Sequence, residues 1–144
     1  MSPEEQLKAA AAKHGIGQYQ RHVFLCTGPK CCTPEDGMEA WEALKQQLKD
    51  ANVGNACYRT KVGCLRICCQ GPTMVVYPEG TWYHGMTADR MPRLVKEHVI
   101  EGKPIAEWIF AHNPLDSSAN RLPTVAESPS CPSCQGADMS DGLP

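Results

Sequence analysis

The chain has 144 residues, a formal net charge of −2, 42% hydrophobic residues and 21% charged ones. That is one domain with room for an arm or a tail, large enough to fold without disulfide staples. The balance excludes a nucleic-acid binder driven by bulk positive charge, and no apolar run is long enough to span a membrane.

Taken in chain order, Ser2-Pro3-Glu4-Glu5 is a helix start: a capping residue, proline at the first helical position and glutamate three residues after the cap. Strong helix formers follow over 7–13, and Gly15 can close the helix. Its apolar face is mostly alanine, so the arm is marginal alone. Residues 22–26 (HVFLC) predict a first strand, broken by Thr27-Gly28-Pro29-Lys30. Thr33-Pro34-Glu35-Asp36 opens a second helix. In it Met38, Trp41, Leu44 and Leu48 recur at helical spacing to about Asp50, and Met38 and Trp41 are expected in the core. After a turn over 52–55, residues 56–62 (ACYRTKV) read as a second strand, with Cys57 a small core residue.

Residues 73–77 (TMVVY) predict a buried strand, Pro78-Glu79-Gly80 a hairpin turn and 81–84 (TWYH) its partner strand. Met91, Leu94, Val95, His98 and Val99 mark a last helix closed near Gly102, and 105–110 is a short apolar segment that packs back on the domain. From about Asn113 the composition turns to Ser, Pro, Gly, Asn and Asp, which predicts a disordered tail. The order β-α-β-β-β-α predicts a small α/β fold. His22, His84, His98 and His112 show no paired metal spacing and are read as structural or exposed.

Nine cysteines cannot all pair as disulfides. Residues 1–20 have no apolar signal core and no arginine-rich amphipathic pattern, so a reducing cytosol is expected, where clustered thiols hold metal or do redox chemistry. Two tight groups stand out, Cys26/Cys31/Cys32 and Cys64/Cys68/Cys69. If the helix between the first two strands is a crossover, those strands run parallel and their carboxyl ends share one edge of the sheet. Both cysteine loops then project from that edge. Four thiolates converging there would select zinc or an iron–sulfur cluster, and spacing alone does not choose between them. Lys30, Arg59, Lys61 and Arg66 read either as an ordinary solvated surface or as a basic rim for an acidic redox partner. Cys131-Pro-Ser-Cys134 lies in the predicted tail, and Cys69, adjacent to Cys68, is read as a buried or partly exposed thiol because adjacent residues seldom both reach one metal. No phosphate loop, dinucleotide fingerprint or nucleophile constellation is present.

His22-Val23-Phe24-Leu25-Cys26 with Cys31, then Cys64-x3-Cys68-x2-Gly71-Pro72, then Val75-Val76-Tyr77-Pro78-Glu79-Gly80-x-Trp82-Tyr83, resembles the thioredoxin-like 2Fe–2S ferredoxins. It is similar also to the small iron–sulfur subunit of NADH-quinone dehydrogenases and related hydrogenases. The resemblance implies a thioredoxin-like α/β fold, a small mixed sheet with flanking helices. It implies a one-electron carrier with no catalysis of its own, working with redox partner proteins and commonly as a homodimer. It divides the chain into an N-terminal helical arm (1–20), a ferredoxin domain (21–112) and the tail (113–144). Carried over, the ligands of the 2Fe–2S cluster would be Cys26, Cys31, Cys64 and Cys68, with Cys32 the alternative to Cys31. Many members read Cys-Leu-Gly where this chain has Cys64-Leu65-Arg66. The other functions weighed are an electron-transfer subunit of a larger dehydrogenase or hydrogenase-type complex, and a zinc- or thiol-based binding module.

Overall fold

The computed structural model describes residues 2–115; the tail beyond, with Cys131 and Cys134, lies outside the described residues. Helix α1 (Pro3–Lys13) is fixed by a full capping box: the Ser2 hydroxyl accepts from the Glu5 N–H and the Glu5 carboxylate accepts from the Ser2 N–H. It buries no residue, as its alanine face predicts.

Strand β1 (Arg21–Cys26) lies between β2 (Cys57–Val62), to which it runs parallel, and β3 (Met74–Tyr77), to which it runs antiparallel. β4 (Thr81–Tyr83) and β5 (Ile109–His112) continue the sheet antiparallel, giving the order β2-β1-β3-β4-β5. The parallel pair requires a crossover, supplied by helix α2 (Pro34–Asp50), whose first turn is capped by the Thr33 hydroxyl. Helix α3 begins as an α-turn (Met91–Leu94) and runs on as a π-helical stretch (Val95–Ile100). The expected regular helix is thus widened over its second half.

The core fills one side of the sheet. Val23 and Leu25 of β1, Met74 and Val76 of β3 and Tyr83 of β4 pack against Ala40, Trp41, Leu44 and Leu48 of α2 and Leu94, Val95 and Val99 of α3. Met38, expected in this core, is 40% exposed. Gly37 occupies that face instead, because a Cβ there would sit 2.3 Å from the Thr27 carbonyl oxygen. The helix must approach the β1 exit that closely, which rotates Met38 outward. Cys57 is buried among the core residues, and burial pushes its thiol up to about 11. The strand β5 was expected only as an apolar segment. Its four residues are too few for a period-2 pattern to show, and it forms by adding to the edge offered by β4.

The opposite face carries half-buried rings. Tyr19 stacks on Tyr58, His22 stacks on Phe24 at 4.1 Å, and Phe24 meets Tyr77 edge-on. The His22 ring also hydrogen-bonds the Thr60 hydroxyl at 2.8 Å. Among the described residues no helix is long and apolar enough to cross a membrane.

Candidate metal centre

Cys26 ends β1 directly opposite Val62, the last residue of β2. The parallel register therefore delivers the two cysteine loops to one edge, as expected. They are then tied together by backbone: the Gly71 N–H donates to the Cys31 carbonyl at 2.9 Å. That approach needs glycine, since a Cβ on Gly71 would lie 2.5 Å from the same oxygen. Gly28 plays the corresponding part within the first loop, at φ +90° and with a would-be Cβ 2.5 Å from the Cys32 carbonyl oxygen. A Cβ on Gly63, by contrast, would meet open space.

A cleft of about 190 Å3 opens between the loops. Its walls hold Cys26, Cys31, Cys64 and Cys68, with Pro29, Lys30, Gly63 and Ile67. Cys32 and Cys69 are not among its walls. Cys32 sits behind Cys31, its sulfur 3.7 Å from the Cys31 sulfur, and Cys69 turns to a neighbouring apolar cleft with Ile67, Gln70, His84 and Phe110. The two loops contribute differently. Cys26 and Cys31 are buried, with their sulfurs 2.8 Å apart and no disulfide between them. Cys64 and Cys68 are exposed.

The electrostatics follow the packing. Burial, then the hydrogen bond to Cys26, push the Cys31 thiol up to about 12, against a backbone N–H of Thr73 directed at its sulfur. Desolvation in the loop and the adjacent Cys64 raise Cys68, while Lys30 pulls it down. Burial also raises Cys32. These thiols hold their protons at neutral pH in this form, so a metal must displace them on binding. Two backbone donors already point at sulfur: the Arg66 N–H to Cys64 Sγ at 3.2 Å, and the Thr73 N–H to Cys31. The Thr73 hydroxyl is buried and, among the described residues, has no partner.

No protein-family model matches the chain. It is 31% identical over 93 residues to a 2Fe–2S ferredoxin of Clostridium pasteurianum, an alignment covering 60% of this chain and 91% of that protein. The chain belongs to the 2Fe–2S ferredoxin family. A 2Fe–2S ferredoxin of Aquifex aeolicus is 25% identical over 99 residues, covering 63% of this chain and 89% of the relative. A solved thioredoxin-like [2Fe-2S] ferredoxin from Aquifex aeolicus superposes with a TM-score of 0.60 at 24% identity, over 65% of this chain and 93% of that one. The fold is therefore thioredoxin-like, and this ferredoxin is an electron carrier rather than an enzyme.

The donor set fits a 2Fe–2S cluster. Such a cluster takes four cysteine thiolates, two on each iron, and the cleft offers two pairs, one from each loop. N–H groups directed at sulfur stabilise added negative charge there.

Arg66 stands at φ +71°, in the left-handed region glycine adopts freely. In that conformation its N–H is aimed at Cys64 Sγ. Arg66→Gly should change stability by less than about 1 kcal/mol, since relieved strain and added chain entropy oppose each other. The reduction potential should become more negative, by an amount on the order of tens of millivolts, because a cation beside the ligands is lost. Protein-film voltammetry reads this, and an unchanged or raised potential contradicts it.

Proposed function

We propose that this ferredoxin passes single electrons through one 2Fe–2S cluster ligated by Cys26, Cys31, Cys64 and Cys68. The observation that carries the reading is the cleft: it contains these four thiols and neither Cys32 nor Cys69. When bound, the cluster supplies one reversible electron at nearly constant geometry. The protein's part is to hold the ligands and to offset charge. Cys26 and Cys31 provide the dry side of the site, and Cys64 and Cys68 the exposed side through which electrons leave and enter. The Arg66 and Thr73 N–H groups and the Lys30 ammonium offset the added charge.

The odd number of cysteines and their clustering in two loops support a reducing compartment such as the cytosol. The ring-covered sheet face, left bare by α2 and α3, supports pairing of two copies into a homodimer. Protein purified anaerobically should be reddish-brown, carry about two irons and two acid-labile sulfides per chain, and bleach with dithionite. Colourless protein that stays free of iron and sulfide after reconstitution overturns the reading. Sedimentation velocity on the coloured protein tests the dimer.

A further inference from the structure

We propose that the Thr73 hydroxyl donates a hydrogen bond to sulfur on the buried side of the bound cluster and so favours its reduced state; the inference rests on the electron-carrier reading above. Thr73 is completely buried, and its Oγ has no hydrogen-bond partner among the described residues. A buried hydroxyl left unpaired costs stability, and valine would fill the same space without that cost. Its presence therefore calls for a partner that the cluster-free chain does not offer.

Its place in the sheet identifies that partner. In the antiparallel pairing of β1 with β3, Leu25 lies opposite Met74, so Thr73, one residue before β3, stands opposite Cys26. The Cys26 N–H donates to the Thr73 carbonyl at 2.8 Å, which extends the ladder to this pair. Leu25 and Met74 point into the core, and successive side chains alternate between faces. Cys26 and Thr73 therefore project together from the other face, where directly opposed Cβ atoms lie about 5 Å apart. The Thr73 N–H is directed at the Cys31 sulfur, and the Cys26 and Cys31 sulfurs are 2.8 Å apart. Thr73 thus borders both buried thiols. A thiol sulfur is a weak acceptor, and here neither one accepts from the hydroxyl. Thiolate and sulfide carry negative charge, so a hydrogen bond to them is charge-assisted and is strengthened by the dry surroundings. An added electron raises that charge, which makes the bond stronger in the reduced state than in the oxidised one. Thr81 supplies a control. Its hydroxyl is also buried without a partner among the described residues, but it pairs with Val76, on the core face and three residues along the chain from Thr73.

The test compares the cluster-loaded full chain with its Thr73→Val, Thr73→Ser and Thr81→Val variants, each reduced by one electron at an electrode. In Thr73→Val the equilibrium constant for reduction should fall by about threefold or more, read as a more negative potential. Thr73→Ser, which restores the hydroxyl, and Thr81→Val should keep the parent's potential. Resonance Raman spectra of protein reconstituted in H2O and in D2O give a second readout. The isotope shift of the Fe–S stretching bands should be smaller in Thr73→Val than in the parent or Thr73→Ser. Should Thr73→Val take up no cluster, Thr73→Ala is read in its place. A hydroxyl-free variant with the parent's potential and isotope shift overturns the inference and leaves the carrier reading intact, as does a shift in Thr81→Val or Thr73→Ser equal to that in Thr73→Val. A parent chain that takes up no cluster overturns both.

Discussion

Cys64→Ser is expected to abolish or severely deplete the visible chromophore of the purified protein, with iron content falling several-fold. Cys26→Ser and Cys31→Ser should do the same, while Cys69→Ser should leave iron, sulfide and spectrum as in the parent. Serine presents a harder, far less acidic donor than cysteine, so a site that relies on soft thiolates loses affinity at each replacement. The discriminating comparison is Cys31→Ser against Cys32→Ser. Both thiols are on one short loop and both are raised by burial. Only Cys31 faces the cleft and receives the Thr73 N–H. Cys32→Ser should therefore keep the cluster. Loss of the chromophore in Cys32→Ser together with its retention in Cys31→Ser would reassign the second ligand.

Tyr83→Phe should cost about 2–4 kcal/mol of stability, read as a lower urea midpoint with unchanged slope. Tyr83 is fully buried and its oxygen accepts from the Ile105 N–H at 3.0 Å. Its hydroxyl then donates to His98 Nδ1 at 2.6 Å, leaving His98 Nε2–H to donate to Glu79 Oε1 at 3.3 Å. Glu79 in turn accepts from Arg21 through both carboxylate oxygens, at 3.2 and 2.8 Å. Removing the one hydroxyl strands a buried donor and a buried acceptor. The same chain of bonds sets a pH dependence. Burial holds His98 below its ordinary value of 6.5, opposed by Glu79 and helped by Arg21 and His112. The unfolded chain then takes up a proton that the folded one refuses, so this stability is full above 6.5 and lost as pH falls below it. For Glu79, burial acts upward but Arg21 prevails, leaving it below 4.5; its contribution is lost only under more acidic conditions. Urea midpoints at pH 7.5, 6.5 and 5.5 should decline toward the lowest pH in the parent and be flatter across this range in His98→Gln. A flat parent curve would show that His98 titrates alike in both states.

This network also shows where reading the sequence stops. His98 has no partner within its own turn; its bonds reach residues 15 and 19 positions away, and Arg21 reaches Val99 across 78 positions. Nothing in local spacing announces such pairings, so His98 reads only as a histidine without a metal pattern. The π-helical widening of α3 and the edge strand β5 escape for a related reason. The helix keeps its apolar spacing while its hydrogen bonds shift by one residue, and β5 depends on an edge made by β4. Met38 is displaced by a contact of Gly37 with Thr27, ten residues earlier in the chain.

What the chain determines by itself is the chemistry and its coarse placement. Capping residues and apolar spacing define α1 and α2, the short β-branched and aromatic runs mark β1 and β3 as strands, and a crossover between parallel strands must bring Cys26 and Cys64 to one edge. These follow from periodicity and connectivity, which are properties of short segments. Tertiary structure alone decided which thiols face one another. The distinction between Cys31 and Cys32 is a matter of side-chain direction, fixed when Gly71 closes on the Cys31 carbonyl and Gly28 on that of Cys32. Neighbouring residues in a sequence are equivalent until packing from a distant loop makes one the inside and the other the outside.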